Sequence, residues 1–276
     1  IVLPESPDEL FTTADILILA VTASSIPEIV KKLSKVKRHK KKLIVINAAK
    51  ALDSKTGKRL ELIIKKHLKH LHAYVYFAGG TIASDLYNSH PLGATIASKN
   101  TRALNIAEDL LASPNLRLYK TNDVSGAEYC GAFKNIISIF AGLVSGLGWP
   151  YGSETFFISR FSREVERFVV KELRGQLKTF SMDSQCWGND LWMSCTGKTR
   201  NREFGYLIGQ GMTVKQALNQ MTKQHKAVEG FTSISILKKL CHNFSSYPFL
   251  LAMQEIIIKN KSPKKIIKSL IESRKI

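Results

Sequence analysis

One lysine, Lys134, stands in "GAEYCGAFKNIISIFAGLVSGLG" (126–148) among glycine, alanine, cysteine, serine and large apolar residues. Helical spacing puts Ala127, Cys130, Gly131, Ser138, Ala141 and Gly142 on its face, all of them small. A lysine that reaches solvent normally lies over large apolar neighbours. A small face instead lets another surface come close and bury the amine. Burial lowers a lysine pKa, which suits the group to acid/base work near neutral pH.

A second group lies in "CWGNDLWMSCTGKTRNREFG" (186–205), which holds Asp190, Ser194, Thr199, Arg200, Asn201 and Arg202. Arginine recognises phosphate through a planar fork, and an adjacent amide and hydroxyl complete such a site. A carboxylate there would bond a substrate hydroxyl or orient Lys134. The plainer reading is a polar interhelical loop with a capping aspartate. Two further candidates close apolar runs: Lys50 after "LIVINAA", and Gly79-Gly80-Thr81 ahead of a helix predicted over 81–87. Paired glycines admit a ligand to the backbone, and a helix start offers N–H donors to an anion. Each also reads as a surface lysine or a plain turn. "GAEYCGA" shares the outer spacing of a phosphate-binding loop, but Ala132 and Phe133 stand where Lys and Ser/Thr are required.

The elements that must position these residues divide into two patterns. Strands are predicted at 15–21, 42–49, 73–79, 93–98 and 116–120. The first three lack alternation, as expected for parallel strands buried on both faces. Helical patterns lie between them. Ser25-Ile26-Pro27-Glu28 has capping-box form, 58–71 follows a Thr56-Gly57 turn, and 101–112 ends before Ser113-Pro114. This alternation predicts a doubly wound, Rossmann-like α/β sheet over 1–121, serving as a dinucleotide-binding domain. From 122 to 276 long helical periodicities replace strands and predict an all-α substrate domain, with a lysine-rich tail helix over 259–275.

The bulk numbers are those of a globular chain of 276 residues, 44% hydrophobic and 23% charged. Its net charge of +19 would suit a polyanion, yet the lysines are dispersed, with one run, "KVKRHKKK" (35–42), and no nucleic-acid-binding signature. Four cysteines form no metal-ligand spacing and fit a reducing, cytoplasmic setting. "HLKHLH" brings His67 and His70 onto one predicted turn without a third ligand. The longest apolar run, 136–149, falls short of the roughly 18–20 residues of a membrane span, and no signal peptide is present.

These residues resemble a known family. "TNDVSGAEYCGAFKNIISIFAGLVSGLG" is similar to the hallmark segment D-V-x-G-x-E-x-x-G-A-x-K-N of NAD(P)-dependent glycerol-3-phosphate dehydrogenases. "GNDLWMSCTGKTRNREFG" resembles that family's G-D-L-x-x-T-C…S-R-N-R-x-F-G, and "AVEG" its later V-E-G. "INAAK" and "AGGTIASDL" match its T-K-G and S-G-P-S-F-A more loosely. The resemblance spans nearly the whole chain in order. It implies a catalytic lysine at Lys134 and substrate contacts at Lys50, Gly79, Thr81, Lys134, Asp190, Thr199, Arg200 and Asn201. It implies NAD or NADP contacts at Lys50, Ala83, Arg200, Ala227 and Glu229. The implied reaction interconverts glycerol 3-phosphate and dihydroxyacetone phosphate, supplying glycerol 3-phosphate for phospholipid synthesis. The implied partner is a small phosphorylated molecule, with neither nucleic acid nor a membrane span, and a homodimer is compatible with it.

The chain departs from the family at Ala78 and Gly80, where Ser and Pro are usual, and at Asn189, where Gly is usual. Thr199 replaces Ser and keeps the hydroxyl, and the family's Asn and Lys are absent near "PYGSETFF". The glycine-rich fingerprint is expected ahead of Ile1, so 1–121 reads as a dinucleotide-binding domain incomplete at its N-terminus, and this chain alone as inactive. Two other readings remain open. One is a related 2- or 3-hydroxyacid dehydrogenase. The other is a diverged, non-catalytic protein that binds polyanions through its charge.

Overall fold

In the computed structural model, which describes residues 7–38, 42–241 and 244–273, the apolar runs of the first half form five strands. In chain order the elements are α1 (Pro7–Thr13), β1 (Ile16–Leu19), α2 (Ile26–Leu33), β2 (Leu43–Asn47) and α3 (Leu60–His67). Then come β3 (Leu71–Ala78), α4 (Ala83–Tyr87), β4 (Leu92–Ala97), α5 (Thr101–Leu111) and β5 (Leu116–Thr121). The sheet order is β1-β2-β3-β4-β5. Three of its four pairings are parallel, and β3 with β4 is antiparallel. The reversal has a local cause. The connection carries only the five-residue α4, which buries no residue and so cannot pack across the sheet as a crossover helix. Helices cover both faces of this Rossmann-like sheet. On one, Val30 of α2 and Ile64 of α3 pack with Val45 and Tyr74. On the other, Ala103, Leu104 and Ala107 of α5 pack with Ile46, Val75 and Ile96.

Several local expectations are corrected. β1 is not buried on both faces, since Ile18 is 47% exposed in this outermost strand of the described sheet. The capping box at Ser25 does not form. A 3-10 turn, Ala23–Ser25, leads into α2, so Ser25 is already helical and its hydroxyl bonds Thr22 Oγ1 at 2.8 Å. α3 ends at His67, because Leu68 leaves the helix to bury its side chain, so His67 and His70 do not share a helical turn. Three residues of the basic run, 39–41, and the last two of the expected tail helix, 274 and 275, lie outside the described residues.

Beyond Thr121 no strand occurs among the described residues. α6 (Val124–Gly146) and α7 (Tyr151–Leu173) are followed by a π-helical turn at Gln185–Asn189 and by α8 (Asp190–Thr196). α9 (Arg200–Gly209), α10 (Val214–Lys223), α11 (Glu229–Ser235) and α12 (Leu237–Leu240) come next. α13 (Pro248–Met253), a second π-helical turn at Gln254–Ile258 and α14 (Pro263–Glu272) complete the order. Asp123 starts α6: its Oδ1 accepts Gly126 N–H at 2.9 Å, satisfying an otherwise orphaned helix donor. Its Oδ2 accepts Gln176 N–H and Thr179 Oγ1–H, both at 2.7 Å.

α6 is long and apolar enough to cross a membrane by length and composition, but 94% of its apolar window is buried inside the chain. It is the core helix of the second half. Phe140 meets Phe157, Phe161 and Phe249 edge-on at ring distances of 5.5–5.6 Å. Its glycines face glycines. A Cβ on Gly142 would overlap the Arg202 carbonyl, and one on Gly205 would overlap the Ile139 carbonyl. Gly146 and Gly209 meet in the same way, so α6 and α9 touch backbone to backbone.

Candidate active site

The small face of Lys134 serves two surfaces. Toward the N-terminal end of α6, Gly131 lies under the Tyr76 hydroxyl and the Lys50 side chain at the end of the sheet. Toward the C-terminal end, Gly142 admits α9. Between them Lys134 is buried, with 5% of its surface exposed. Its Nζ donates to Asp190 Oδ1 at 2.7 Å and to Ser194 Oγ at 2.6 Å. Asp190, the first residue of α8, is fully buried and uses its other oxygen to accept Lys50 Nζ at 3.0 Å. Lys50 also donates to the Gly79 carbonyl at 2.5 Å. One carboxylate therefore holds two ammonium groups, one from each half of the chain.

The charges explain the titration of Lys134. Burial lowers its pKa below the ordinary lysine value, and Lys50 pushes the same way, while Asp190 opposes both. The result is an amine that Asp190 keeps protonated and that its surroundings make ready to release the proton. The hydroxyls behind it are also fixed. Ser138 Oγ and Thr199 Oγ1 both donate to the Ser194 carbonyl, at 2.6 and 2.9 Å. The start of α8 is thereby fastened to α6 and to the residue before α9.

The remaining candidates fall into three sets. Asn201 is buried and accepts Gly230 N–H on its Oδ1 at 2.9 Å, which leaves its amide N–H groups as donors. Glu229 accepts Asn135 Nδ2–H at 3.2 Å, so it is tied to the residue after Lys134. Arg200 is exposed at the first position of α9, and no hydrogen bond or ion pair engages its guanidinium. Ala83 and Ala227 are exposed and touch none of these groups through a hydrogen bond, and Thr81 is half-buried between them and Gly80.

The glycine pair differs from its sequence reading. A Cβ at Gly79 would lie 2.8 Å from the Gly93 carbonyl, and one at Gly80 would lie 3.3 Å from Asn189 Nδ2. Their open sides are filled by β4 and by Asn189, not left for a ligand. The expected interhelical loop at 186–205 is itself helical, from the π turn through α8 into α9.

Sequence reasoning missed several residues. Asn135 carries Glu229, and its only signal was an amide next to Lys134. Ser138 counted merely as small, yet its hydroxyl is used. Tyr76 is buried with a hydroxyl that has no partner, close to Gly131. Among the described residues, no group of three or more His, Cys, Asp or Glu side chains is placed to hold a metal.

Comparison with known proteins bears on this arrangement. The NAD-dependent glycerol-3-phosphate dehydrogenase N-terminus family matches residues 1–104, and the corresponding C-terminus family matches 123–268. Glycerol-3-phosphate dehydrogenase (NAD(P)+) of Clostridium botulinum (strain Alaska E43 / Type E3) is 30% identical over 260 residues, 94% of this chain and 76% of that protein. The enzyme of the same name from Thermoanaerobacter sp. (strain X514) is 30% identical over 264 residues, 95% and 77% of the two chains. A crystal structure of glycerol-3-phosphate dehydrogenase from Coxiella burnetii superposes with a TM-score of 0.83 at 22% identity, covering 94% of this chain and 77% of that one, which is a likeness of fold. With both halves matched in order and Lys134 inside the second match, the chain belongs to the NAD-dependent glycerol-3-phosphate dehydrogenase family, an oxidoreductase family that uses NAD or NADP.

Proposed function

We propose that this protein interconverts sn-glycerol 3-phosphate and dihydroxyacetone phosphate, with Lys134 as the proton-transferring residue. The observation that carries the reading is the buried Lys134–Asp190–Lys50 cluster beside an uncommitted Arg200. In the reducing direction the Lys134 ammonium gives a proton to the ketone oxygen. In the oxidising direction the neutral amine takes the hydroxyl proton. Asp190 orients the amine and stabilises its charged form, and Lys50 adds positive charge where oxygen becomes negative. Arg200 and the Asn201 amide supply phosphate donors, and Thr199 holds the start of their helix.

The residues present fit the nicotinamide end of the cofactor. Two ammonium groups and a free guanidinium suit a phosphorylated anion, while the Asn135–Glu229 pair offers fixed polar groups beside Lys134. Lys50, Ala83, Arg200, Ala227 and Glu229 are the residues that would hold it. When bound, NAD(P) supplies or accepts the hydride at the substrate C2 carbon. Residues 1–121 form the dinucleotide-binding half in this reading and 122–276 the substrate half. The product serves phospholipid synthesis in the cytoplasm, and the enzyme works as a homodimer.

The test is NADH and NADPH oxidation with dihydroxyacetone phosphate, using the longest form of the protein its gene encodes, beside Lys134→Ala. Turnover that the substitution removes by about 100-fold or more supports the assignment. Absence of turnover with either cofactor overturns it.

A further inference from the structure

The backbone after Lys50 is strained. Ala51 is a buried non-glycine residue at φ 129°, a region that side chains rarely adopt. Such a conformation persists only where the surroundings over-determine it. They do so through Asn47 at the end of β2, whose Oδ1 accepts Ala49 N–H at 3.1 Å and whose Nδ2 donates to the Ala49 carbonyl at 3.4 Å. The same Nδ2 donates to Tyr74 Oη at 2.9 Å. Tyr74, on β3, in turn donates its hydroxyl to Glu128 Oε1 at 2.8 Å. Glu128 lies on α6, somewhat under two turns before Lys134. It is fixed further by Glu61 N–H at 3.0 Å and by Arg59 Nη1 at 3.2 Å. Asn47 and Glu128 are buried, and Tyr74 is too.

We propose that Tyr74 and Asn47 are positioning residues that lock the strained Lys50 turn to the helix carrying Lys134. The two amines that share Asp190 come from different halves of the chain, and their spacing is set by whatever joins those halves. The Tyr74 hydroxyl is a direct link of that kind. It is saturated, giving its proton to Glu128 and accepting one from Asn47, so it fixes a distance rather than filling space. Without it the Asn47 amide loses an acceptor, the Ala49 clamp loosens, and Ala51 relaxes toward ordinary backbone. Lys50 then leaves Asp190 for solvent.

This inference rests on the proposed reaction only for its kinetic consequence. Two variants break the relay at different points: Tyr74→Phe in the middle and Asn47→Ala at the end nearest Lys50. Both are expected to raise KM for dihydroxyacetone phosphate about five- to tenfold, with a smaller change in kcat. A second readout needs neither turnover nor cofactor. Reductive methylation with formaldehyde and borohydride, followed by mass spectrometry of the Lys50 peptide, reports how often that amine is free of Asp190. Methylation of Lys50 should quicken about threefold or more in both variants, with other lysines unchanged. Glu128→Gln keeps an acceptor for Tyr74 and should label like the wild type. A lowered Tm in either folded variant, with Lys50 labelling within about twofold of wild type, would make the network merely structural and overturn the proposal. Wild-type protein without turnover would defeat the reaction reading alone, because the labelling result still decides the role of Tyr74.

Discussion

Replacing Asp190 by Asn removes a charge and almost no volume, so the result isolates what the carboxylate does. Asp190 is fully buried and holds Lys134 and Lys50 at 2.7 and 3.0 Å. Breaking a buried ion pair by removing one partner costs about 3–5 kcal/mol, because the other charge stays behind unneutralised. Lys50 is the lesser part of that cost, since its side chain is 21% exposed and can turn toward water. Lys134 cannot, and it responds by losing its proton. Asp190 is the largest influence holding its pKa up, so in D190N the lysine falls still further below its ordinary value of about 10.4. A base whose folded pKa is depressed destabilises the folded state at pH values below its unfolded pKa. The D190N deficit should therefore be about 3–5 kcal/mol at pH 7 and shrink as pH rises toward 10. Urea unfolding of both proteins at pH 7, 8, 9 and 10 measures it. Ketone reduction at pH 7 should fall about 100-fold or more, since no proton is left to give. A D190N protein within about 1 kcal/mol of wild type at every pH would refute the placement of two cations on one buried carboxylate.

Three further outcomes are expected. Tyr76→Phe removes a buried hydroxyl that has no partner, and stability should hold or rise by up to about 1 kcal/mol in urea unfolding; a loss of that size would mean the hydroxyl is bonded in solution. Gly205→Ala forces a methyl group onto the Ile139 carbonyl and should cost about 3 kcal/mol, read as a fall in Tm, whereas Gly211→Ala, with open space around it, should cost less. Glu164 accepts Phe249 and Leu250 N–H at 3.1 and 2.8 Å, and burial pushes its carboxyl up to about 7. An acid with a raised folded pKa contributes stability that is complete at low pH and fades as pH rises to about 7. Glu164→Gln, which keeps an acceptor without charge, should match wild type near pH 4.5 and exceed it by about 1–3 kcal/mol above pH 7.

The sequence made Lys134 legible because one cation on a small helical face is a contradiction that packing must resolve. It also showed the strands, whose apolar runs are bounded by turns. The hydrogen bond between Lys50 and Asp190 spans 140 positions, and no local pattern encodes it. Only the resemblance brought those residues together. The reversal at β4 was hidden because a run such as "GATIAS" carries no direction, and direction depended on how little α4 buries. Ala51 was invisible for another reason: alanine looks permissive anywhere, while its φ is set by Asn47 and Tyr74, which arrive from elsewhere. Glycines four apart on both α6 and α9 were present to be read, and their mutual contact was what the small face meant in its second half.

The π turn at Gln185–Asn189 carries a consequence for how this chain tolerates change in length. Such a turn is an α-helical stretch holding one additional residue. Removing a single residue from 185–189 would let the stretch close into ordinary α-helix and turn everything after it by about 100°. Asp190 follows at once, so its carboxylate would swing off Lys134 while α8 stayed helical and the composition of the core barely altered. A deletion there would be silent in helix content and severe in chemistry. The register of one turn, more than the identity of its residues, is what aims the acid at the amine.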